Sequence, residues 1–302
     1  MNLNESKLWK EIHQQDECVR ECLKYNLPIL KEIAFNIKQR NIKNIIFAAR
    51  GSSEHAAQVA KYVFEIYTDM FVNIAAPSIT TCYQGHVNYQ NAIVVGISQS
   101  GGAQDVYQVM KKCVDDGGIC VSITNEPKCL MSTIGHYRLN NHCGIETSIT
   151  AAKSYITQLT ILIALAYQIS ENQELFNLLE QLPDIIKDSF QLENQVQNVI
   201  PFFRNSEHLL IFGRGLLYGL VQESELKIQE TSYLDARCYS ASDYQHGPIA
   251  TSLSFVPTIF FIADKQTDES IIQLHQRLKE EKNIFSLIIS NKDNISKLGD
   301  LS

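Results

Sequence analysis

No apolar run in this chain is long enough to cross a bilayer: the greasiest helical stretch, Leu159 to Tyr167, falls well short of the ~20 residues a spanning helix needs. The first residues, Met1 to Lys7, hold no apolar core of signal-peptide length. Basic residues never form a run, and 26 Lys and Arg against 33 Asp and Glu leave a formal net charge of −7, which argues against a nucleic-acid surface. It does not argue against phosphate, because a local anion site needs only a few donors. No C-x-x-C occurs among the eight cysteines (Cys18, Cys22, Cys82, Cys113, Cys120, Cys129, Cys143, Cys238), and most lie in apolar or amphipathic segments. They read as reduced core thiols of a cytoplasmic protein. Cys18 and Cys22 share a helix face, but one such pair does not make a metal site, and no metal or other cofactor is expected. What remains is an ordinary globular mixture, 45% hydrophobic and 20% charged over 302 residues, with room for two domains.

The most informative stretch is Gly96-Ile97-Ser98-Gln99-Ser100-Gly101-Gly102-Ala103. An apolar run from Ala92 to Ile97 precedes it and reads as a buried strand. A helical pattern follows, with Val106, Val109, Met110 and Cys113 on one face and Gln104, Asp105, Gln108 and Lys112 on the other. A strand that ends in small polar residues and opens a helix presents free N–H groups at the positive end of the helix dipole. Serine hydroxyls add donors there without bulk, so the junction is suited to a phosphate. Asn44 to Ala49, followed by Arg50-Gly51-Ser52-Ser53 and a helix from Glu54 to Tyr67, is a second junction of the same type.

Around these junctions the pattern predicts helices at Leu8–Lys24 and, opened by Pro28, at 28–40; strands at Phe71–Ala75 and Gly118–Thr124; a small polar loop at Thr147–Ala152; and an apolar helix at Lys153–Ser170. Alternating strands and helices imply α/β architecture with parallel sheets, whose ligands bind at the carboxyl ends of the strands. After a helical connector the outline recurs. Leu209–Phe212 leads into Gly213-Arg214-Gly215, Pro257–Ala263 reads as a strand, and Leu287-Ile288-Ile289-Ser290-Asn291 echoes Val121-Ser122-Ile123-Thr124-Asn125. This predicts a tandem duplication: N-terminal helices over 1–40, a first domain over 41–172, a connector over 173–198 and a second domain over 199–302. The second copy carries Asp264-Lys265-Gln266 where the first has Ser98-Gln99-Ser100, and a carboxylate would repel a phosphate, so the first copy alone is expected to hold one.

A different chemistry is spelled by the helix from Tyr218 to Tyr233. Glu223, Lys227 and Glu230 are spaced four and three apart and share one face. His246 follows, before Gly247-Pro248, on a tight loop unsuited to a core. A carboxylate, a lysine and an imidazole are the side chains needed to open a sugar ring and move a proton between adjacent carbons. A solvated ion-paired helix face with a loop histidine fits the same residues.

Four blocks in order, Ala49-Arg50-Gly51-Ser52-Ser53-Glu54-His55-Ala56-Ala57, Ile97-Ser98-Gln99-Ser100-Gly101, Ala152-Lys153-Ser154-Tyr155-Ile156-Thr157-Gln158-Leu159, and Leu226-Lys227 through Glu230-Thr231-Ser232-Tyr233 to His246-Gly247-Pro248, resemble the double sugar-isomerase (SIS) domain family. That family includes the isomerase half of glucosamine-6-phosphate synthase and stand-alone SIS-type glucosamine-6-phosphate deaminases. The resemblance implies two flavodoxin-like domains. It implies Ser52, Ser53, Ser98, Gln99 and Ser100 around the sugar phosphate, and Gly51, Ala151, Lys153 and Glu223 lining the sugar pocket. Glu230 would move the proton between the first and second carbons with Lys227 beside it, and His246 would open the ring, supplied across a homodimer interface. The chain departs from the family pattern at Ala103, where a hydroxyl is usual, at Ala151-Ala152 ahead of Lys153, and at Arg237. Residue 2 is Asn, so the glutaminase nucleophile is not expected, and the terminal family lysine has no counterpart, which implies a second domain incomplete at its C-terminus. The implied activity is conversion of glucosamine-6-phosphate to fructose-6-phosphate and ammonia. A sugar-phosphate-binding regulatory module without turnover and a fructose-amine-6-phosphate deglycase are the alternatives.

Overall fold

The computed structural model describes residues 5–252, 254 and 256–301. It forms two compact units, bounded as Met1–Phe190 and Gln191–Ser302.

The first unit opens with a short helix α1 (Lys7–Ile12) and a long α2 (Gln15–Gln39), followed by β1 (Asn44–Ala48), α3 (Ser52–Tyr67), β2 (Phe71–Ile74), α4 (Ser78–Thr81), β3 (Ala92–Ser98), α5 (Gln104–Asp115), β4 (Ile119–Thr124), β5 (Tyr137–Asn140), α6 (Lys153–Ser170) and α7 (Gln173–Ser189). The sheet order is β2-β1-β3-β4-β5 and every pairing is parallel. Strands β3 and β4 are buried on both faces almost end to end, as expected of parallel strands covered by helices above and below. The apolar face of α5 packs on one side of the sheet, where Val106, Val109, Met110 and Cys113 meet Val94 and Cys120. Helices α2 and α3 both pack against α6 in the same unit. Among the described residues no helix is long and apolar enough to cross a membrane.

Pro28 does not start a helix. It lies inside α2, which runs unbroken from Gln15 to Gln39, and the real break falls earlier, between Ile12 and Gln15. A proline in a helix interior costs about 3 kcal/mol. The buried stripe of Val19, Cys22, Leu30, Ile33, Ala34 and Ile37 offsets it, since each large apolar side chain taken out of water is worth about 1.5–3 kcal/mol. Strand β5 was not anticipated; its four residues bury only Leu139 fully.

The second unit contains α8 (Glu193–Phe203), β6 (His208–Gly213), α9 (Tyr218–Ser232), β7 (Asp235–Ser240), α10 (Ala241–Tyr244), β8 (Pro257–Phe261), α11 (Asp268–Lys282), β9 (Phe285–Ile289) and α12 (Asp293–Ser296). Its sheet order is β7-β6-β8-β9, again all parallel, and Leu301 makes a single parallel bridge to Leu287 beyond β9. The core is aromatic. Phe212 stacks on Phe260 at 5.1 Å and meets Tyr244 edge-on at 4.7 Å, with Ile271, Leu274 and Leu278 of α11 closing the cluster. Strand β7, with Arg237 and Tyr239 in place of an apolar run, was also unanticipated; it is an edge strand, where polar residues keep a free edge solvated.

Candidate phosphosugar site

Both Gly/Ser junctions of the first unit lie at the carboxyl edge of its sheet, on neighbouring strands, since Ala48 of β1 pairs with Gly96 of β3. After β1 the chain turns at Gly51, whose φ of +54° is one that residues with a Cβ rarely adopt. The first helical bonds of α3 run from Glu54 and His55 to the Gly51 carbonyl, at 2.9 and 3.0 Å. The N–H groups of Ser52 and Ser53 therefore lie ahead of the helical ladder. Ser53 is buried and Ser52 half-buried.

Ser98 closes β3, and its Oγ accepts from the Gly101 N–H at 3.2 Å. The Ser100 Oγ accepts from the Gly102 N–H at 3.4 Å. Gly101 takes φ +63°, and a Cβ there would lie 2.2 Å from Cys129 Sγ, so both conformation and packing require glycine. The loop is pinned from below by the Met131 N–H donating to the Gly101 carbonyl at 3.0 Å. Helix α5 then begins at an extended Ala103 that makes no side-chain cap. Asp105 Oδ1 accepts from the Val106 N–H at 2.8 Å, and with no N-cap hydroxyl the N–H groups ahead of it are left to an outside acceptor. Arg50 reaches across from the first junction and pairs with Asp105 at 2.8 Å, neutralising the carboxylate in the first turn of α5.

Beside Gln99 the edge of the sheet opens into a cleft of about 610 Å³, lined also by Asn125, Asn140, His142, Gly144 and Glu146. Asn125 organises it: its N–H donates to the Gln99 carbonyl at 2.9 Å, and its Nδ2 donates to the Gly144 carbonyl at 2.7 Å. Its Oδ1 accepts from Cys143 Sγ at 3.0 Å. Burial holds the His142 imidazole below the usual histidine range, with Glu21 opposing. The sequence reading missed Asn140 and His142 and took Asn125 only as a strand end. The available signal was that a residue closing β4 must sit beside one closing β3, as the Ser98↔Thr124 pairing shows.

The polar loop before α6 borders the same cleft at Glu146. The Glu146 carboxylate accepts from the N–H groups of Ala152, Lys153 and Ser154 at 2.9, 2.8 and 3.2 Å, and so caps α6. Lys153 is buried, and its ammonium donates to Gln14 Oε1 and to the Ile145 carbonyl, both at 2.9 Å. That commits it to the frame of the loop. Ala151 is half-buried.

In the second unit, α9 carries the expected charged face. Lys227 Nζ lies 3.2 Å from Glu223 Oε1 and 2.9 Å from Glu230 Oε2, so it bridges a buried carboxylate and an outer one. His246 is exposed on the loop after α10, just before Gly247 with φ +150°. The position equivalent to the serine loop is filled from within. Asp264 accepts from the Gln266 N–H at 3.1 Å and from Thr267 Oγ1 at 3.4 Å, and its carboxylate stands 3.4 Å from where a Cβ on Gly215 would be. Among the described residues no cluster of three His, Cys, Asp or Glu side chains could hold a metal ion.

Two parallel α/β units make up the chain, and the first gathers the helix N-termini and serines of its two junctions at its strand ends. Residues 39–167 match the SIS domain family. It is 30% identical over 315 residues to glutamine–fructose-6-phosphate aminotransferase of Wigglesworthia glossinidia brevipalpis, covering 96% of this chain and 51% of that protein. The chain thus spans about half the length of the curated relatives it matches. The C-terminal domain of glucosamine-fructose-6-phosphate aminotransferase from Francisella tularensis superposes with a TM-score of 0.87 at 22% identity, over 99% of this chain and 87% of that one. Glucosamine-6-phosphate deaminase from Thermotoga maritima superposes with a TM-score of 0.76 at 21% identity, over 98% and 86%. At those identities the superpositions establish the fold alone.

Proposed function

We propose that the chain binds an amino-sugar phosphate and interconverts its aldose and ketose forms, taking glucosamine-6-phosphate and water to fructose-6-phosphate and ammonia. The observation that carries this reading is the uncapped N-terminus of α5 beside Ser98 and Ser100, adjacent to the N-terminus of α3 with Ser52 and Ser53. Those groups and Gln99 bind the phosphate, and Gly51, Ala151, Lys153 and Glu223 shape or support the sugar pocket. Glu230 takes the proton from the second carbon and returns it to the first through an enediol or enolamine. Lys227 holds the developing charge, and His246 opens the ring from the partner copy of a homodimer.

Four strands, β2-β1-β3-β4 in one sheet and β7-β6-β8-β9 in the other, follow the same order, which supports reading the units as tandem copies, with Asp264 as the reason one copy alone binds phosphate. Ala103, which offers no hydroxyl to the anion, favours a second reading in which the protein binds phosphosugars without turning them over. Titration calorimetry with glucosamine-6-phosphate, run beside an ammonia-release assay, separates the two. Binding with turnover supports the enzyme, binding without turnover supports the regulatory module, and no binding defeats both.

A further inference from the structure

The loop over residues 145–152 is polar at its base and apolar at its tips. Ile145 is 83% exposed and Ile149 99% exposed, so burial of these side chains contributes almost nothing to holding the loop in place. Its conformation depends instead on hydrogen bonds, some made within it by Glu146 and Ser148 and the others supplied by the start of the chain. Glu11 on α1 is a buried carboxylate 136 residues away in sequence. Its Oε1 accepts from the Thr147 N–H at 2.6 Å, from Thr147 Oγ1 at 3.0 Å and from the Ser148 N–H at 3.3 Å. Burial works to raise the Glu11 pKa, but these donors outweigh it and hold the carboxyl below the usual glutamate range. Two neighbours extend the clamp. Gln15 Nε2 donates to the Ala152 carbonyl at 3.0 Å, and Gln14 Oε1 receives the Lys153 ammonium at 2.9 Å.

We infer that Glu11 is a positioning residue: its carboxylate fixes residues 147–152 from below, and through them the sugar side, not the phosphate side, of the binding site. The inference rests on the proposed phosphosugar reading, because Ala151 and Lys153 lie in or next to the clamped segment. A carboxylate suits this task because it accepts three bonds at once with no donor to misplace. The other oxygen, Glu11 Oε2, also accepts from the Ser148 N–H at 3.3 Å; glutamine is nearly the same size, but its amide nitrogen in place of Oε2 would face that N–H, and the bonds that remain would lose their charge.

The test is hydrogen exchange and titration calorimetry on the full chain, comparing wild type with Glu11→Gln and with Thr147→Val, the milder variant that deletes only the hydroxyl donor. Exchange at Thr147 and Ser148 should quicken about ten- to a hundredfold in Glu11→Gln and less in Thr147→Val, while the β3 and β4 amides keep their protection. Affinity for glucosamine-6-phosphate should fall about tenfold or more, while affinity for inorganic phosphate, which probes only the serine seat, stays the same. Equal losses for both probes would mean a general structural role and would overturn the inference. So would unchanged exchange at Thr147 and Ser148. A wild-type protein that binds neither probe defeats the functional reading instead, and the exchange rates still decide whether Glu11 fixes the loop.

Discussion

Arg50 and Asp105 join the two strand-end junctions of the first sheet: the Arg50 Nε–H donates to Asp105 Oδ2 at 2.8 Å, and a second guanidinium nitrogen lies 2.8 Å from the same oxygen. One residue follows β1 and the other opens α5, so the pair spans the place where the phosphate is proposed to bind. It leaves the anion a helix N-terminus whose own carboxylate is already neutralised.

Arg50→Met should therefore weaken phosphosugar binding by about tenfold, since Asp105 then repels the incoming anion at close range. Both side chains are at least one-third exposed, so the stability change should stay under about 1 kcal/mol. Calorimetry with phosphorylated and unphosphorylated glucosamine checks this. An equal loss for the two sugars would remove Arg50 from the anion site.

Gly101→Ala asks a methyl group to lie 2.2 Å from Cys129 Sγ on a backbone at φ +63°. Overpacking and left-handed backbone each carry a cost, and together they should lower stability by roughly 2–4 kcal/mol and abolish phosphate binding. Denaturant unfolding with intrinsic fluorescence measures the first. A variant of wild-type stability would show that the loop between Ser98 and Gly102 is looser than its contacts with Cys129 and Met131 indicate.

The second unit should be acid-sensitive through His275. Burial lowers the pKa of its imidazole and the Lys279 charge adds to this, while Asp300 opposes; the ring contacts Ser286 Oγ at 3.0 Å and Phe260 edge-on at 5.0 Å. The folded state holds it neutral, so below the ordinary histidine pKa of about 6.5 the unfolded chain binds the proton more readily. Its contribution to stability is complete above that pH and declines as the pH falls through it. Thermal unfolding followed across this range should show the decline, and His275→Gln should flatten it. An unchanged slope in the variant would assign the acid sensitivity to other groups.

How much of this was legible before the structure depended on how local each signal was. The β3–α5 junction was readable because an apolar run, two glycines and an amphipathic helix follow one another without interruption. The charged face of α9 was readable for the same reason, since its three residues are neighbours by helical geometry alone. Strands β5 and β7 were not, because a short or edge strand is specified by the strand it pairs with and carries little periodicity of its own. Pro28 misled because a local rule about helix starts was outweighed by a buried stripe running the length of α2. Asn125 meets Asn140 across two neighbouring strand ends, and Glu11 meets Thr147 from 136 residues away; nothing in their immediate neighbourhoods announces that they meet.

The proposal that Glu230 carries the proton is tested most directly by Glu230→Gln, assayed for ammonia and fructose-6-phosphate formation from glucosamine-6-phosphate with binding followed in parallel. Turnover should fall about a hundred- to ten-thousandfold, the usual share of a general base, while phosphosugar affinity stays near that of wild type. Turnover at the wild-type rate in that variant would contradict the account.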